Sequence, residues 1–449
     1  MHQQKSTGLR VSHCLLFLIS LAIPGIANAT NGLYGHAYGA RQSGIAGSGI
    51  AFPQDALIAA INPAGVVQLG KSREIDLQYF SPMRQYTVNP SPASGGFPPF
   101  PGPTVESESE SFFIPAIGLS WPLSSDKAVG FALYGNGGMN TDYAAADTPF
   151  GVGAFGAGAV PGADPRAGVD YSQLFANLSY SQKFGGGNGS WGVSALGNYS
   201  VIELSGLAGF APFSTDPRNL SDKGKDGEFG FGVRVGAQFD VSPSVTLAAA
   251  YQTEISTQFD DYAGLFPESG KLHIPANAQI GIAAKTGSGT FTADVQQIFY
   301  SSAEGVGDPG TTGLTTGCRP SAPFTSAPVA AGPSCLGGSP GIGFGWEDMT
   351  ILKLGYTWKT NNGMTWRVGF SHGDQPVPEK DVTFNIIAPG VIEQHYTVGF
   401  SKELASGREF TFAFMYAPEK CVTGPDLFTP GQTVELCMNQ FALNAGISF

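Results

Sequence analysis

The fold this sequence predicts is an all-β, antiparallel transmembrane β-barrel of fourteen strands, plugged by a small N-terminal helical hatch. Three observations predict it. The 449-residue chain has 63 glycines and 32 phenylalanines yet only 13% charged residues. Its apolar residues recur at every second position in many short segments, the period of a strand whose two faces meet different surroundings. The links between those segments alternate between short and long.

Residues 1–29 read as a secretory signal. Lys5 and Arg10 supply a short positive region, Cys14 to Ile23 an apolar run, and Ala27-Asn28-Ala29 the small residues of a cleavage site. The mature chain is expected to start at Thr30. The apolar run is about half the roughly 20 residues a spanning helix needs. Cys14 stands at the head of the run and leaves with the signal. No long apolar run follows Thr30, so no transmembrane helix is expected.

Residues 30–70 do not alternate as a strand does. They are rich in Gly and Ala, with helical stretches near Asp55 to Ile61, and carry almost no charge. Low charge argues against a disordered tail. A fourteen-stranded barrel is wide enough to need filling, so this segment is expected to fold inside the lumen as the hatch.

Residues 71–449 supply the barrel. The last strand shows the pattern most clearly: Phe441, Leu443, Ala445, Ile447 and Phe449 alternate with Gln440, Ala442, Asn444, Gly446 and Ser448. Phe229 to Phe239 alternates apolar residues against Gly, Arg and Gln, and Leu352 to Trp358, Met364 to Ser371 and His395 to Ser401 behave likewise. A soluble sandwich would need the second face for solvation, and a face made of glycine is poor cover. Strands are expected at 73–87, 107–122, 126–137, 170–184, 190–206, 227–240, 244–259, 275–287, 289–300, 348–359, 364–373, 390–402, 408–418 and 438–449. The count is even, as in bacterial single-chain barrels, and short links after even strands with long links after odd ones match short periplasmic turns and long outer loops. This places the chain in a Gram-negative outer membrane. The terminal Phe449 resembles the signal that such barrels present to their assembly machinery.

Removing the signal takes two basic residues from 23 and none of the 35 acidic ones, so 21 face 35 and the formal charge moves from −12 to −14. With no basic tract, nucleic acid is an unsuitable partner. Four cysteines remain. Cys318 and Cys335, and Cys421 and Cys437, form two local pairs in an oxidising compartment. Four cysteines allow three pairings, of which the two local bridges are favoured. Both pairs are expected in outer loops, after strands 9 and 13. There is no C-x-x-C, and His36, His273, His372 and His395 are scattered, so no metal site or cofactor is expected.

Three motifs in order resemble one family. Gly44-x-x-Gly47-x-Gly49-x-Ala51, then Asp55-Ala56, then Asn62-Pro63-Ala64-Gly65, resembles the N-terminal hatch of the FadL/TodX outer-membrane transporters of long-chain fatty acids and hydrocarbons; Asn-Pro-Ala is its most characteristic part. Tyr134-Gly135-Asn136-Gly137-Gly138-Met139-Asn140 resembles the family's third-strand kink, and Arg367-x-Gly369-x-Ser371-x-x-Asp374-x-Pro376-Val377-Pro378 its segment at the end of strand 11. The resemblance covers essentially the whole mature chain. It implies a monomer that catches hydrophobic ligand at its outer loops, holds it in an apolar pocket beside the hatch, and releases it sideways at the third strand. Independently, Gly135, Gly137 and Gly138 would let that strand bulge, or would merely relieve crowding.

Leu207, Phe210 and Phe213 in the third outer loop, and Tyr262, Leu265 and Phe266 in the fourth, are the candidate ligand-binding residues, since exposed apolar groups in loops mark binding sites or pack the loops together. The basic residues that fatty-acid carriers use are not in evident places: Glu203 lies in strand 5, and Trp346-Glu347-Asp348 precedes strand 10. Arg234, Lys353 and Arg367 are lumen cations that either meet a ligand carboxylate or pair with hatch acids such as Asp55. The ligand is therefore left open between a fatty acid and a neutral hydrocarbon or aromatic.

Other readings carry less. Gly337-Gly338-Ser339-Pro340-Gly341 matches G-x-S-x-G without the strand, turn and helix of a nucleophile elbow. Gly151 to Gly156 matches G-x-G-x-x-G without a dinucleotide site's flanking elements. The Pro-rich stretches 88–103 and 320–340 read as plain outer loops. An enzyme in a barrel would need a Ser, His and acid set at a strand end, and none is evident. A non-specific porin or a surface adhesin barrel are the competing readings. Expected partners are hydrophobic small molecules, outer-membrane lipid and lipopolysaccharide.

Overall fold

The structure is a computed structural model that describes residues 31–89, 104–144, 155, 165–310, 314, 317–319, 332–404, 407–427 and 429–449. The expected signal segment, most of the G-x-G-x-x-G match and most of both Pro-rich stretches lie outside these residues.

Fifteen strands form one antiparallel sheet that closes on itself. One of them, Thr104–Glu106, is a short flap that pairs only with the first barrel strand. The other fourteen make the barrel: β1 Ser72–Asn89, β2 Phe112–Pro122, β3 Lys127–Tyr143, β4 Ala167–Phe184, β5 Gly189–Ser205, β6 Asp226–Ser242 and β7 Val245–Gln252 form its first half. The second half is β8 Asn277–Thr286, β9 Gly289–Ile298, β10 Met349–Lys359, β11 Met364–Gly373, β12 Gln394–Glu403, β13 Glu409–Pro425 and β14 Thr433–Ser448. Each strand pairs with its sequence neighbours, and β14 closes onto β1 from Ser448 opposite Glu74 to Thr433 opposite Asn89. Outer loops L1 to L7 follow the odd-numbered strands; the even-numbered strands end in short turns.

The alternation read from the sequence is a real division of faces. On β14, Leu443, Ile447 and Phe449 point out while Gln440, Ala442 and Asn444 are buried in the lumen. On β6, Phe229, Phe231, Val233, Val235 and Phe239 are exposed, and Arg234 and Gln238 are buried. Around a closed barrel such outward side chains form a belt suited to lipid, with aromatic pairs toward its edges: Phe184 with Phe239 and Trp366 with Phe400 toward the short turns, Tyr199 with Phe229 and Phe370 with Tyr396 toward the long loops.

Two strand expectations are corrected. β7 stops at Gln252 rather than 259. Thr253 to Phe259 alternates, but only isolated bridges hold it, Ile255 to Ile274 and Gln258 to Lys271, and Ile255 and Phe259 are fully buried. Conversely, β13 and β14 run far past the membrane belt, so the link after β13 is short. Cys421 and Cys437 are therefore directly opposed strand residues, not loop residues, and their disulfide ties the two strands above the membrane. The Cys318–Cys335 disulfide does lie in L5. Beside it Leu336 receives a hydrogen bond from Thr215 and donates one to Phe213, which fastens L5 to L3.

Candidate ligand path: hatch, wall kink and outer cleft

The segment before β1 fills the lumen. It holds one helical turn, α1 Ala40–Ser43, and two 3-10 turns, Ala56–Ala60 and Pro63–Gln68. Its motif residues are there for local reasons. The Asp55 carboxylate caps the first 3-10 turn by accepting from Leu57 N–H at 2.9 Å. Asn62 caps the second: its Oδ1 accepts from Ala64 N–H at 3.0 Å, Pro63 occupies the first turn where its missing N–H costs nothing, and its Nδ2 reaches back to the Ile50 carbonyl at 3.0 Å. Ala64 in turn presents its carbonyl to Ser181 and Ser190 of the wall at 3.1 and 2.8 Å.

The glycine-rich lumen face now has its explanation. A Cβ on Gly236 of β6 would collide with Asn62 Oδ1, one on Gly192 of β5 would sit 2.6 Å from Ala64 N, and one on Gly118 of β2 would sit 2.8 Å from Leu57 N. Gly369 of β11 stands against Ile45 and Ala46 in the same way. The wall omits side chains where the hatch backbone lies against it.

The lumen cations fasten this plug. Arg234 donates to the Ala60 carbonyl and to Gln252, Lys353 to the His36 carbonyl at 3.4 Å, and Arg367 to Gln54 Oε1 at 2.9 Å and Ser401 at 2.6 Å. Among the described residues none forms an ion pair with Asp55. The hatch's ion pair to the wall is Arg41 with Glu409, 2.9 Å, which the sequence reading missed. It also missed that the fold brings two of the scattered histidines together: the rings of His36 and His395 lie 4.5 Å apart and tilted, with His395 between Ser371 and Gln440. Both His395 ring nitrogens are engaged by those neighbours, so the pair offers no obvious metal set. The grouping of Cys421, Glu435 and Cys437 offers none either, because its sulfurs are bonded to each other.

β3 breaks where Gly135, Gly137 and Gly138 stand. It pairs with β2 only up to Tyr134 opposite Ala116, and with β4 it slips register between Gly135 opposite Leu174 and Gly138 opposite Ser172. A Cβ on Gly138 would overlap the Tyr171 carbonyl, so close approach requires glycine there. Asn136, inside the bulge, turns inward. Its Nδ2 donates to Gln173 at 2.8 Å, its Oδ1 accepts from Tyr38, and its carbonyl accepts from Gly35 N–H at 2.5 Å. The first hatch segment thus lies across the break. A small space remains there, bordered by Tyr38, Ile114, Tyr134 and Gly135.

The outer loops pack around a narrow apolar cleft. Of the six expected loop residues, Leu207, Phe210, Leu265 and Phe266 line it. Phe213 packs alongside, half-buried. Tyr262 is instead a tie between loops: its hydroxyl donates to the Gly224 carbonyl at 2.6 Å and accepts from Leu204 N–H at 3.0 Å. The sequence reading missed Phe155 in L2, Leu336, Ile342 and Phe344 in L5, and Phe384 and Ile387 in L6, which complete the lining. Rings meet across loops, Phe210 with Phe155 at 5.2 Å and with Phe384 at 5.3 Å. The signal was present as apolar residues in the long loops after strands 9 and 11. Among the described residues, none lining this cleft is charged. By contrast, the space beside the hatch arm, expected to be apolar, has a polar wall of Arg234, Gln252, Asn277, Gln296 and Lys353 facing Tyr34 and Tyr38.

Ser339 of the G-x-S-x-G match, and Glu203, Trp346 and Asp348 from the places without an evident cation, do not line the cleft. Ser339 is exposed in L5 and donates to Glu268 at 3.3 Å. Glu203 borders an open polar crevice at the outer rim, Trp346 is buried with its indole N–H on Asn385, and Asp348 accepts from Ser301.

No family model matches this chain, and no curated protein does. Solved structures match it over nearly their whole length. A Pseudomonas aeruginosa FadL homologue is 15% identical with a TM-score of 0.64, covering 93% of this chain and 99% of its own. The Pseudomonas putida toluene transporter TodX is 15% identical with a TM-score of 0.62, covering 93% and 99%. The Ralstonia pickettii toluene transporter TbuX is 16% identical with a TM-score of 0.57, covering 91% and 98%. At this identity the likeness is one of fold. With its closed barrel, lipid-facing belt and lumen plug, the chain is a multi-pass β-barrel of the Gram-negative outer membrane, built on the fold of the FadL homologue and TodX.

Proposed function

We propose that this barrel takes up hydrophobic compounds, of the kind of long-chain fatty acids or hydrocarbons, across the outer membrane. The observation that carries the reading is the uncharged cleft assembled from five outer loops above a lumen already filled by the hatch. Burial there is worth about 25 cal/mol for each Å2 of apolar surface removed from water, whereas a water-filled pore gives such a solute nothing. Leu207, Phe210, Leu265 and Phe266 capture the ligand. It then passes the hatch arm and leaves through the wall at the break in β3. The toluene transporters TodX and TbuX share the fold. Within this reading a neutral hydrocarbon suits the cleft better than a fatty acid, because Arg234, Lys353 and Arg367 are engaged by the hatch and wall.

The test is uptake of radiolabelled toluene and of a long-chain fatty acid by cells lacking the gene, complemented with wild type or with Phe210→Ala/Phe266→Ala. Wild type should restore uptake and the double variant should not. Equal uptake with and without the gene refutes the proposal. A large open conductance in planar bilayers would move the assignment to a porin.

A further inference from the structure

The wall has a second discontinuity, between β6 and β7. Up to Arg234 opposite Gln252 the two strands are laddered. One more contact follows, Thr253 N–H to the Val233 carbonyl at 3.0 Å, with Val233 N–H on the Thr253 hydroxyl at 3.1 Å. Above that β6 continues to Asp226, paired with β5 on its other side up to Ile202 opposite Asp226. Toward β7 the ladder has ended. Because main-chain groups in an antiparallel strand alternate sides, those of Phe231 and Phe229 face the same way as those of Val233, into the gap. Among the described residues no main-chain hydrogen bond reaches either from that side.

The gap lies within reach of the membrane. A tilted strand crosses the hydrocarbon in about 9–11 residues. Counting up from Phe239, which stacks with Phe184 at the inner edge of the belt, brings the outer edge to the Phe229 region. Phe231 and Phe229 are 78% and 69% exposed, the most exposed large apolar side chains among the described residues. From the inside, the gap is filled by side chains in place of backbone pairing. The chain after Gln252 swings behind β6, where Ile255 lies against Gly230 and Gly232. Ile255, Ile274, Leu272 and Phe259 behind the gap are fully buried. The same loop, L4, carries Leu265 and Phe266 of the outer cleft.

We infer that the β6–β7 gap is a second side passage, through which apolar solutes dissolved in the outer leaflet reach the loop cleft, with Ile255 as its plug. This rests on the barrel being a path for apolar solutes. An open strand edge in lipid is costly unless covered. Covering it with apolar side chains of a ligand-binding loop, Ile255 foremost, instead of a β-strand lets the cover move with L4, in which Ile255 stays bridged to Ile274, without breaking the ladder of the wall.

Two variants test it with toluene uptake as the readout. Gly230→Cys/Ile255→Cys places sulfurs where the present contact would bring Cβ atoms into disulfide range. Oxidised, it pins L4 to β6; uptake should fall by more than half and return on mild reduction. Ile255→Ala removes the plug and should raise uptake. Heat-modifiable gel mobility checks that each barrel folds, and binding of the neutral dye 1-N-phenylnaphthylamine checks that the cleft is intact. Equal uptake by the oxidised and reduced double variant, with dye binding unchanged, overturns the passage while leaving the transport reading intact. If wild type itself confers no uptake, it is the transport reading that fails.

Discussion

Replacing Asn62 by alanine should loosen the hatch without harming the barrel. Asn62 is fully buried and makes two hydrogen bonds of 3.0 Å, one to cap the turn at Ala64 and one to the Ile50 carbonyl. Loss of such a cap costs about 1 kcal/mol, and leaving a buried carbonyl without its donor costs about 1–3 kcal/mol. Together these give about 2–4 kcal/mol, which is about 30- to 900-fold in a local opening equilibrium. The assay is amide hydrogen exchange over residues 55–67 in detergent, where local opening is read directly. Gly236→Ala applies the same perturbation from the other side, since its Cβ would strike Asn62 Oδ1. Both variants should lose hatch protection while keeping strand protection and heat-modifiable mobility. If Asn62→Ala keeps its protection within about fivefold of wild type, less than about 1 kcal/mol, the polar fastening of the hatch is not what holds it.

Phe210→Ala and Phe266→Ala should each weaken binding of a neutral apolar dye by about 1–3 kcal/mol if the cleft is the capture site; fluorescence titration showing no change for either would place capture elsewhere. Gly138→Ala puts a methyl on the Tyr171 carbonyl; toluene uptake should fall while dye binding at the loops persists, and unchanged uptake argues against release at β3. Cys421→Ser opens a cross-link between residues 16 apart in sequence. It should raise exchange at the β13–β14 tip without changing uptake, because neither cysteine lines the apolar cleft. In L4 the Lys271 ammonium, through its hydrogen bond and charge, holds the Glu268 carboxyl below its usual value of 4.5. An acid with a depressed folded value stabilises the fold above its unfolded value and loses that contribution as pH falls through the lowered one. L4 amide protection, corrected for the intrinsic pH dependence of exchange, should therefore fall on acidification below about pH 4.5 and fall less in Glu268→Gln; an identical profile for that variant refutes the link.

What was legible in the sequence is what two-fold alternation encodes. The membrane belt reads plainly because lipid and lumen demand opposite residues at alternate positions, so the strand count and the order of short and long links follow. Alternation fails outside the belt. Glu419, Lys420 and Thr423 look like loop because a strand above the membrane is solvated on both faces, yet β13 runs through them. It misleads at Thr253 to Phe259, where alternating residues leave the wall because glycines on β6 give Ile255 a place to go. The hatch motif was legible through its capping residues, Asp55 and Asn62, which carry their own local chemistry. The cleft was half legible. Single loops show their apolar residues, but the meeting of Phe210 with Phe384 depends on where loops distant in sequence fall, and the meeting of His36 with His395 depends on where the hatch lies against the wall.

The way the hatch is held bears on where a solute could leave. Its polar contacts are spread around the wall: Ser181 and Ser190 on Ala64, Asn177 on the Ala59 carbonyl, Asp294 on Ile50 N–H, Thr397 on Ala46 N–H, and Arg41 on Glu409. A straight path to the periplasm needs many of these broken together. At about 1 kcal/mol net for each ordinary hydrogen bond, and more where a buried partner is left unsatisfied, the cost rises with every bond that must open. A sideways path at β3 opens a different set of contacts. There the ladder to β2 already ends at Tyr134, and the hatch meets the break mainly through Asn136, with Tyr38 and Gly35. Moving the first hatch segment frees that break at the cost of its ties from Asn31, Leu33, Tyr34 and His36 to Tyr300, Pro275, Gln252 and Lys353, and leaves the capped turns around Asp55 and Asn62 in place. For an apolar solute the bilayer beyond the wall is a better destination than the water below, and it is this apolar medium that supports the proposed side route.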